Sequence, residues 1–393
     1  MTWMFLFLSA LTIAVDAFVW KKYLRTAPLG ITLRSLLMLL IVLSDLLMPL
    51  SFAILRLIPD NTTAVVRSWG LVNLLFLCTV LPRMIVYAGY LGRRRIWRRL
   101  GWGIALGTIA LFLWGALVCR NRLRVEEVTI TSDRLPAAFD GVRIAFFSDL
   151  HIGVLERPET EIARLVDTIR SLRPDLILFG GDLINIRYTE LDPAVSALLG
   201  RLDAPLGVYS VIGNHDTGVY IKDSLALDRE TNLSRLIRRQ EEMGWRVLND
   251  ETIYLKRGGD SISFSGISFD AALRNYRHAT DLPDIDLGSV YESVPRESYN
   301  LTLCHIPQLW SHITAAGYGD LTLAGHVHSM QMKLRLGHTR GVSPARLLYK
   351  QWSGLYYRDG RALYINDGIG AVGIPARLGA APEITLITLR RGE

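Results

Sequence analysis

Cysteine is scarce in this chain of 393 residues: three, at positions 78, 119 and 304. They are too few and too far apart for a disulfide framework or a zinc–thiolate site. Acidic residues are almost missing from the first third. Residues 1–124 hold 15 Lys and Arg but only Asp16, Asp45 and Asp60, a balance of +12. The remaining residues hold 29 basic and 34 acidic side chains, a balance of −5. The overall charge of +7 therefore belongs to one segment, and the rest of the chain lacks the basic surface that a nucleic-acid partner requires. Internal repeats and low-complexity runs are also absent.

The first third has long apolar runs instead. Four stretches stand out: Thr2 to Trp20, Ser35 to Ile58, Trp69 to Leu91 and Trp102 to Cys119. Each is close to the ~20 residues that carry a helix across a bilayer core. A cleaved signal peptide accounts for one such stretch, not four. The expectation is an N-terminal all-α transmembrane bundle, residues 1–124, in contact with a lipid bilayer. Lys21, Lys22, Arg25 and Arg34 separate the first two stretches, and Arg93-Arg94-Arg95-Ile96-Trp97-Arg98-Arg99 separates the last two. Positive loops stay cytoplasmic, so the N-terminus and everything after Cys119 are expected outside the cytoplasm, with Arg120, Arg122 and Arg124 opposing. The arginine run also suits anionic head groups. Asp45 and Arg83 fall inside spans, where ionisable groups are costly; the preferred reading is a structural Asp–Arg pair or Arg83 snorkelling to an interface, the rival a polar path or lipid head-group pocket between helices, and Asp16 reads as interfacial.

From Val125 the texture changes. Short runs of Val, Ile and Phe alternate with stretches of helical period. Strands are predicted at Val142–Phe147, Asp175–Phe179, Val208–Ile212, Leu301–Cys304, Leu321–Ala324, Ala362–Ile365 and Ile384–Leu389, and helices at Glu159–Leu172 and Leu233–Met243. This pattern over residues 125–393 implies packed sheets with helices outside. The stretch 269–298 has no clear period and reads as a loop or cap insertion.

The ends of five predicted strands carry the chemistry. They deliver Ser148-Asp149-Leu150-His151, Gly180-Gly181-Asp182, Gly213-Asn214-His215-Asp216, Cys304-His305 and Gly325-His326-Val327-His328. Ligand sites in α/β sheets gather at the carboxyl ends of strands. Alternation along extended backbone is expected to put Asp149 and His151 on one side, and likewise His326 and His328. Imidazole with carboxylate suits Mn, Fe, Zn or Co. The donors outnumber what one open ion takes and suffice for two ions ~3.5–4 Å apart that share a carboxylate, the equipment for in-line attack on phosphorus. His278, His312 and His338 lack this context and read as surface or core histidines, and Cys304 as a buried apolar residue.

The order DxH, GD, GNHD, H, GHxH resembles the calcineurin-like metallophosphoesterase superfamily over roughly residues 140–390. The resemblance implies a sandwich of two mixed β-sheets flanked by helices. It further implies Asp149, His151, Asp182 and His328 at a first metal, and Asp182, Asn214, His305 and His326 at a second, with Asp182 bridging. It makes His215 the contact to phosphate and the general acid, and Asp216 the residue that orients it. The tail, from Leu363-Tyr-Ile-Asn-Asp-Gly-Ile-Gly370 through Ile374-Pro-Ala-Arg-Leu378 to Pro382-Glu-Ile384, resembles a narrower branch of membrane-associated bacterial phosphoesterases, some of which are similar to UDP-2,3-diacylglucosamine hydrolases. Ser329-Met330-Gln331 departs from that branch, which has two glycines before the glutamine. The function implied is a membrane-anchored phosphodiesterase or pyrophosphatase with two divalent metal ions. Its expected substrate is a lipid-linked or envelope phosphoester. The rivals are a UDP-lipid hydrolase with a cytoplasmic domain, and an inactive module on a membrane scaffold.

Overall fold

The computed structural model describes residues 2–59, 61–92, 94–222, 227–335 and 341–392, with side chains from residue 7 onward. Asp60, Arg93 and His338, all used in the sequence reading, lie outside the described residues. The chain divides into two compact units, one of Met1–Arg120 with Val372–Leu378, the other of Asn121–Ala371 with Gly379–Glu393.

The first unit is helical. Its elements are α1 (Thr2–Val19), α2 (Ile31–Asp45), α3 (Leu47–Leu57), α4 (Thr63–Leu91) and α5 (Arg95–Leu117). Among the described residues, three helical stretches are long and apolar enough to cross a membrane: Ile31–Leu57, Thr63–Leu91 and Arg95–Asn121. The first predicted stretch forms α1, whose opening side chains lie outside the described residues. Gly89 and Gly101 let α4 and α5 approach closely, since a Cβ on Gly89 would sit 3.1 Å from the Gly101 Cα. Arg83 of α4 donates to Asp16 of α1 at 2.7 Å and also pairs with Asp45 of α2, while the Tyr87 hydroxyl donates to Asp16 at 2.7 Å. The preferred Asp–Arg pair is thus present and is larger than expected. Asp16 joins it as a buried partner. Two carboxylates around one guanidinium satisfy groups that lipid could not.

The second unit is a sandwich of two mixed sheets, as expected. Its strands and helices follow in the order β1 (Arg124–Ser132), β2 (Arg143–Phe147), α6 (Pro158–Ser171), β3 (Leu176–Phe179), α7 (Pro193–Leu199), β4 (Val208–Ser210), α8 (Arg229–Glu242), β5 (Arg246–Val247), β6 (Glu251–Arg257), β7 (Asp260–Ile267), α9 (Gly288–Tyr291), β8 (Asn300–Cys304), α10 (Trp310–Ala315), β9 (Leu321–Ala324), β10 (Gly354–Arg358), β11 (Arg361–Ile365) and β12 (Glu383–Arg391). One sheet runs β1-β12-β2-β3-β4-β5, the other β10-β11-β9-β8-β7-β6. Between them lies a core that includes Ile144, Phe146, Leu178, Phe264, Leu301 and Leu323. The other face of the first sheet packs Phe147, Ile177 and Phe179 against Ile162, Leu165 and Ile169 of α6. That face explains why α6 shows a clean helical period in sequence. The stretch 269–298 forms a short turn and α9, and it packs Phe269, Leu273, Leu287 and Val290 over Ile306 and Trp310. Parallel pairing of β2, β3 and β4, and of β8 and β9, points five loops in one direction from the two sheets.

Candidate metal centre

The loops after β2, β3, β4, β8 and β9 bring the predicted ligands together. Three groups of donors converge, each with ligand atoms within 4.8 Å of one another: Asp149, His151 and His328; His151, Asp182 and His215; Asp182, His305 and His326. Asn214 joins the third group, its Oδ1 lying 3.0 Å from His305 Nε2. Asp182 Oδ2 stands 3.2 Å from His305 Nε2 and 3.7 Å from His151 Nε2, so its carboxylate faces both sides of the cluster.

The backbone does not place these residues as expected. Asp149, His151, Asp182, His326 and His328 all have positive φ, between 45° and 72°. Alternation along extended chain is therefore not what aligns Asp149 with His151 or His326 with His328. Left-handed backbone at non-glycine residues costs about 1–3 kcal/mol each and persists only where the surroundings enforce it. Here the surroundings are specific hydrogen bonds. Asp149 accepts from the His326 amide at 3.1 and 3.0 Å, and Asp182 from the His215 amide at 2.7 Å. Ser329, Met330 and Gln331 extend the left-handed run beyond His328. Gly213 is required by contact: a Cβ there would lie 2.2 Å from Asp182 Oδ1.

The donor set suits a cation. His151 Nε2 and His328 Nε2 are 3.2 Å apart, with Asp149 Oδ1 3.1 Å from the latter. Among the described residues His151 Nδ1 is buried without a hydrogen-bond partner. Burial pushes the Asp149 and Asp182 carboxyls upward, but the surrounding imidazoles outweigh it and hold both below the usual carboxylate range. Burial pushes His151 well down, and it carries His326 to about 3 with help from His305 and His278. Ionised carboxylates beside neutral imidazoles are the protonation states that bind a metal. His305 is the exception. Burial opposes its charge, yet Asp182 dominates and raises it to about 9, so a metal ion bound at His305 must displace a proton.

His215 sits at the edge, half-buried, its ring edge-on to His151 at 4.6 Å and stacked on Tyr220 at 4.3 Å. Its Nδ1 meets the Asn185 carbonyl at 2.6 Å. Asp216, expected to orient His215, departs from that expectation. Its carboxylate accepts from the amides of Asp182, Gly213 and Ile184 at 2.8, 2.9 and 3.1 Å. The reason is the tight turn at 213–216, which turns the side chain back onto the loop after β3. Burial, then repulsion from Asp182, raises Asp216 to about 7.

Several contributors were not legible in sequence. Glu190 accepts from the amides of Gly153, Asn185, Ile186 and Arg187 at 2.6–3.3 Å, and so fixes the carbonyl that orients His215. Arg274 and Arg277, from the stretch read as a cap, each stand 5.7 Å from the Tyr220 ring and bring positive charge beside His215. His278 stacks on His326 at 5.5 Å and meets the Tyr349 hydroxyl at 2.6 Å, whereas His312 is on the surface against the Pro283 carbonyl. Ser329 Oγ donates to buried Asp367 at 2.6 Å, and Lys333 reaches the same carboxylate at 2.8 Å. Apart from the contacts of Glu190 to residues 185–187, these contacts join residues far apart in the chain, and no local motif announces them.

Comparison with known proteins agrees with this geometry. Residues 142–330 match the family described as calcineurin-like phosphoesterase. An uncharacterized metallophosphoesterase of Aquifex aeolicus is 27% identical over 68% of this chain and 92% of its own length. The metallophosphoesterase YkuE of Bacillus subtilis is 29% identical over 69% of this chain and 86% of its own. A transmembrane protein with metallophosphoesterase domain from Bos taurus is 28% identical over 72% of this chain and 61% of its own.

Proposed function

Since the chain belongs to the calcineurin-like phosphoesterase superfamily, we propose that it is a membrane-anchored hydrolase of phosphodiester or pyrophosphate bonds that works with two divalent metal ions. The observation that carries this reading is the sharing of His151 and Asp182 among three converging donor groups. Asp149, His151, Asp182 and His328 would hold one ion, and Asp182, Asn214, His305 and His326 the other. Mn, Fe, Zn or Co suit such nitrogen and oxygen donors. Bound there, the ions supply an activated water and charge neutralisation at phosphorus.

The chain's own groups complete the reaction. Arg274 and Arg277 offer positive charge to a phosphate beside Tyr220. The Asn185 carbonyl holds the Nδ1 proton of His215, which leaves Nε2 to carry a second proton toward a leaving oxygen. Burial lowers the affinity of His215 for that proton, which makes it a readier acid. A group delivered this way suits an alkoxide or phosphate leaving group equally.

The basic loop between α4 and α5, with Arg94, Arg95, Arg98 and Arg99, supports a domain outside the cytoplasm whether or not α1 spans the membrane. A lipid-linked or envelope phosphate is the substrate that fits this placement, and the acidic balance of residues 125–393 argues against nucleic acid. Hydrolysis of bis(p-nitrophenyl) phosphate by the purified full-length protein with added Mn²⁺ tests the chemistry. Asp182→Ala should abolish it, and equal rates for the two proteins would refute the assignment. A reporter fused after Glu393 tests the placement, and a cytoplasmic signal would redirect the substrate to a UDP-linked lipid.

A further inference from the structure

Nine large hydrophobic side chains are exposed among the described residues of the second unit. Three are the tyrosines 254, 276 and 357, whose hydroxyls suit water. The other six are aliphatic or Met, and all lie between positions 330 and 348: Met330, Met332, Leu334, Val342, Leu347 and Leu348. Single exposed hydrophobics are ordinary, but their confinement to one segment of 19 positions is not.

The local backbone shows how they come to share a face. Leu334 and Val342 exchange both backbone hydrogen bonds at 2.9 Å as an antiparallel pair, so their side chains stand on the same side. Met332 is two residues from Leu334 and shares that side by strand alternation. Between them Lys333 points inward, 8% exposed, with its ammonium on Asp367 and Ser353. This short ladder is inside-out: the cation is buried and the thioether and leucine face outward. The turn that follows repeats the pattern, with Ala345 buried and Leu347 83% exposed. Such an arrangement is costly in water, by ~25 cal/mol for each Å² of apolar surface left wet.

We propose that the face made by Met332, Leu334, Val342, Leu347 and Leu348 is a membrane-contacting surface, seated at the boundary of head groups and acyl chains. Two features choose a bilayer as the occupant. Met332 is bridged to Gly379, which follows in the chain directly on Leu378; Leu378 packs with Leu74 and Phe112 of the membrane-spanning helices. The face is therefore tied by one covalent step to a segment of the membrane unit. Arg346 is exposed beside Leu347, which places a cation where anionic phosphates lie when the leucine is inserted. The inference goes beyond the catalytic reading and stands without it.

Site-directed spin labelling of the full-length protein in nanodiscs of phosphatidylcholine and phosphatidylglycerol tests it. Leu347→Cys and Leu334→Cys are labelled separately in a Cys78→Ala background, because Cys119 and Cys304 are buried. Tyr357→Cys serves as the water-exposed reference. At both leucine positions the ratio of collisions with oxygen to collisions with a water-soluble nickel chelate should exceed the reference several-fold. A ratio equal to the reference at both positions overturns the proposal. Spin–spin broadening between labels of two protomers, with the ratio unchanged, also overturns it and assigns the face to a second copy of the chain. Both leucines are exposed, so neither substitution removes core packing, and unchanged thermal unfolding of each variant confirms the fold.

Discussion

Ser329 offers a test of how the left-handed run beyond His328 is held. Its φ is +50°, its side chain is fully buried, and its Oγ donates to Asp367 at 2.6 Å. Burial raises the Asp367 carboxyl, but Lys333 outweighs burial and keeps it ionised, so the bond is charge-assisted. A hydrogen bond to a charged group contributes about 1.5–3 kcal/mol. The left-handed conformation of a residue with a Cβ costs about 1–2 kcal/mol. Ser329→Ala loses the first term and keeps the second, a net loss of about 2 kcal/mol. Ser329→Gly loses the bond but is relieved of the strain, so it recovers about 1 kcal/mol of that loss. For a unit of this size, 1 kcal/mol moves the unfolding midpoint by roughly 2–4 °C. The alanine variant should unfold several degrees below wild type, and the glycine variant between them. Calorimetric titration of the metal-free protein with Mn²⁺ should show affinity lower by about tenfold in the alanine variant, because the bond supports the backbone that aims His328. Equal midpoints for the alanine and glycine variants would refute the strain argument. Wild-type Mn²⁺ affinity in both would show that the bond does not position the ligand.

Three further outcomes follow from buried charge. Arg83→Met leaves Asp16 and Asp45 without their shared cation, and should lower the stability of the helical unit by about 3–5 kcal/mol in detergent; adding Asp16→Asn and Asp45→Asn should restore most of it. Glu190→Gln removes half of a four-amide acceptor, so kcat should fall about tenfold with KM unchanged, because the Asn185 carbonyl that holds His215 shifts; a rise in KM alone would contradict this. Glu383 is raised to about 7 from 4.5 by burial and by Asp367. A raised acid binds its proton more tightly in the folded state, so its contribution is complete below about pH 4.5 and is lost as pH rises toward 7. Glu383→Gln should therefore gain on wild type by up to about 3 kcal/mol between pH 4.5 and pH 8 in thermal unfolding. A constant difference across that range would contradict the shift.

Much of the architecture was legible without coordinates. The strands at 143–147, 176–179, 300–304, 321–324 and 361–365 are short apolar runs buried on both faces, and such runs survive any tertiary arrangement. Strand β1, the hairpin of β6 and β7, and strand β10 were not identified. The burial of β1, β6 and β10 alternates or is partial, the apolar residues of buried β7 are interleaved with serines, and β1 pairs with β12 from the other end of the domain. The cap was seen as a stretch without period, but its arginines acquire meaning only beside Tyr220.

The sequence by itself determined the apolar first third, a domain of packed sheets with helices outside and the residue types offered as metal-centre candidates, because apolar length, strand period and ligand chemistry are local properties of the chain. Tertiary structure alone decided how those ligands are aimed. Five of them have positive φ, two of which, Asp149 and Asp182, accept from amides contributed by other loops, and the partner of His215 is the Asn185 carbonyl, where Asp216 was expected. It also decided that Lys333 faces inward and its apolar neighbours outward. Alternation makes such a ladder two-faced from sequence, and only packing says which face meets the protein.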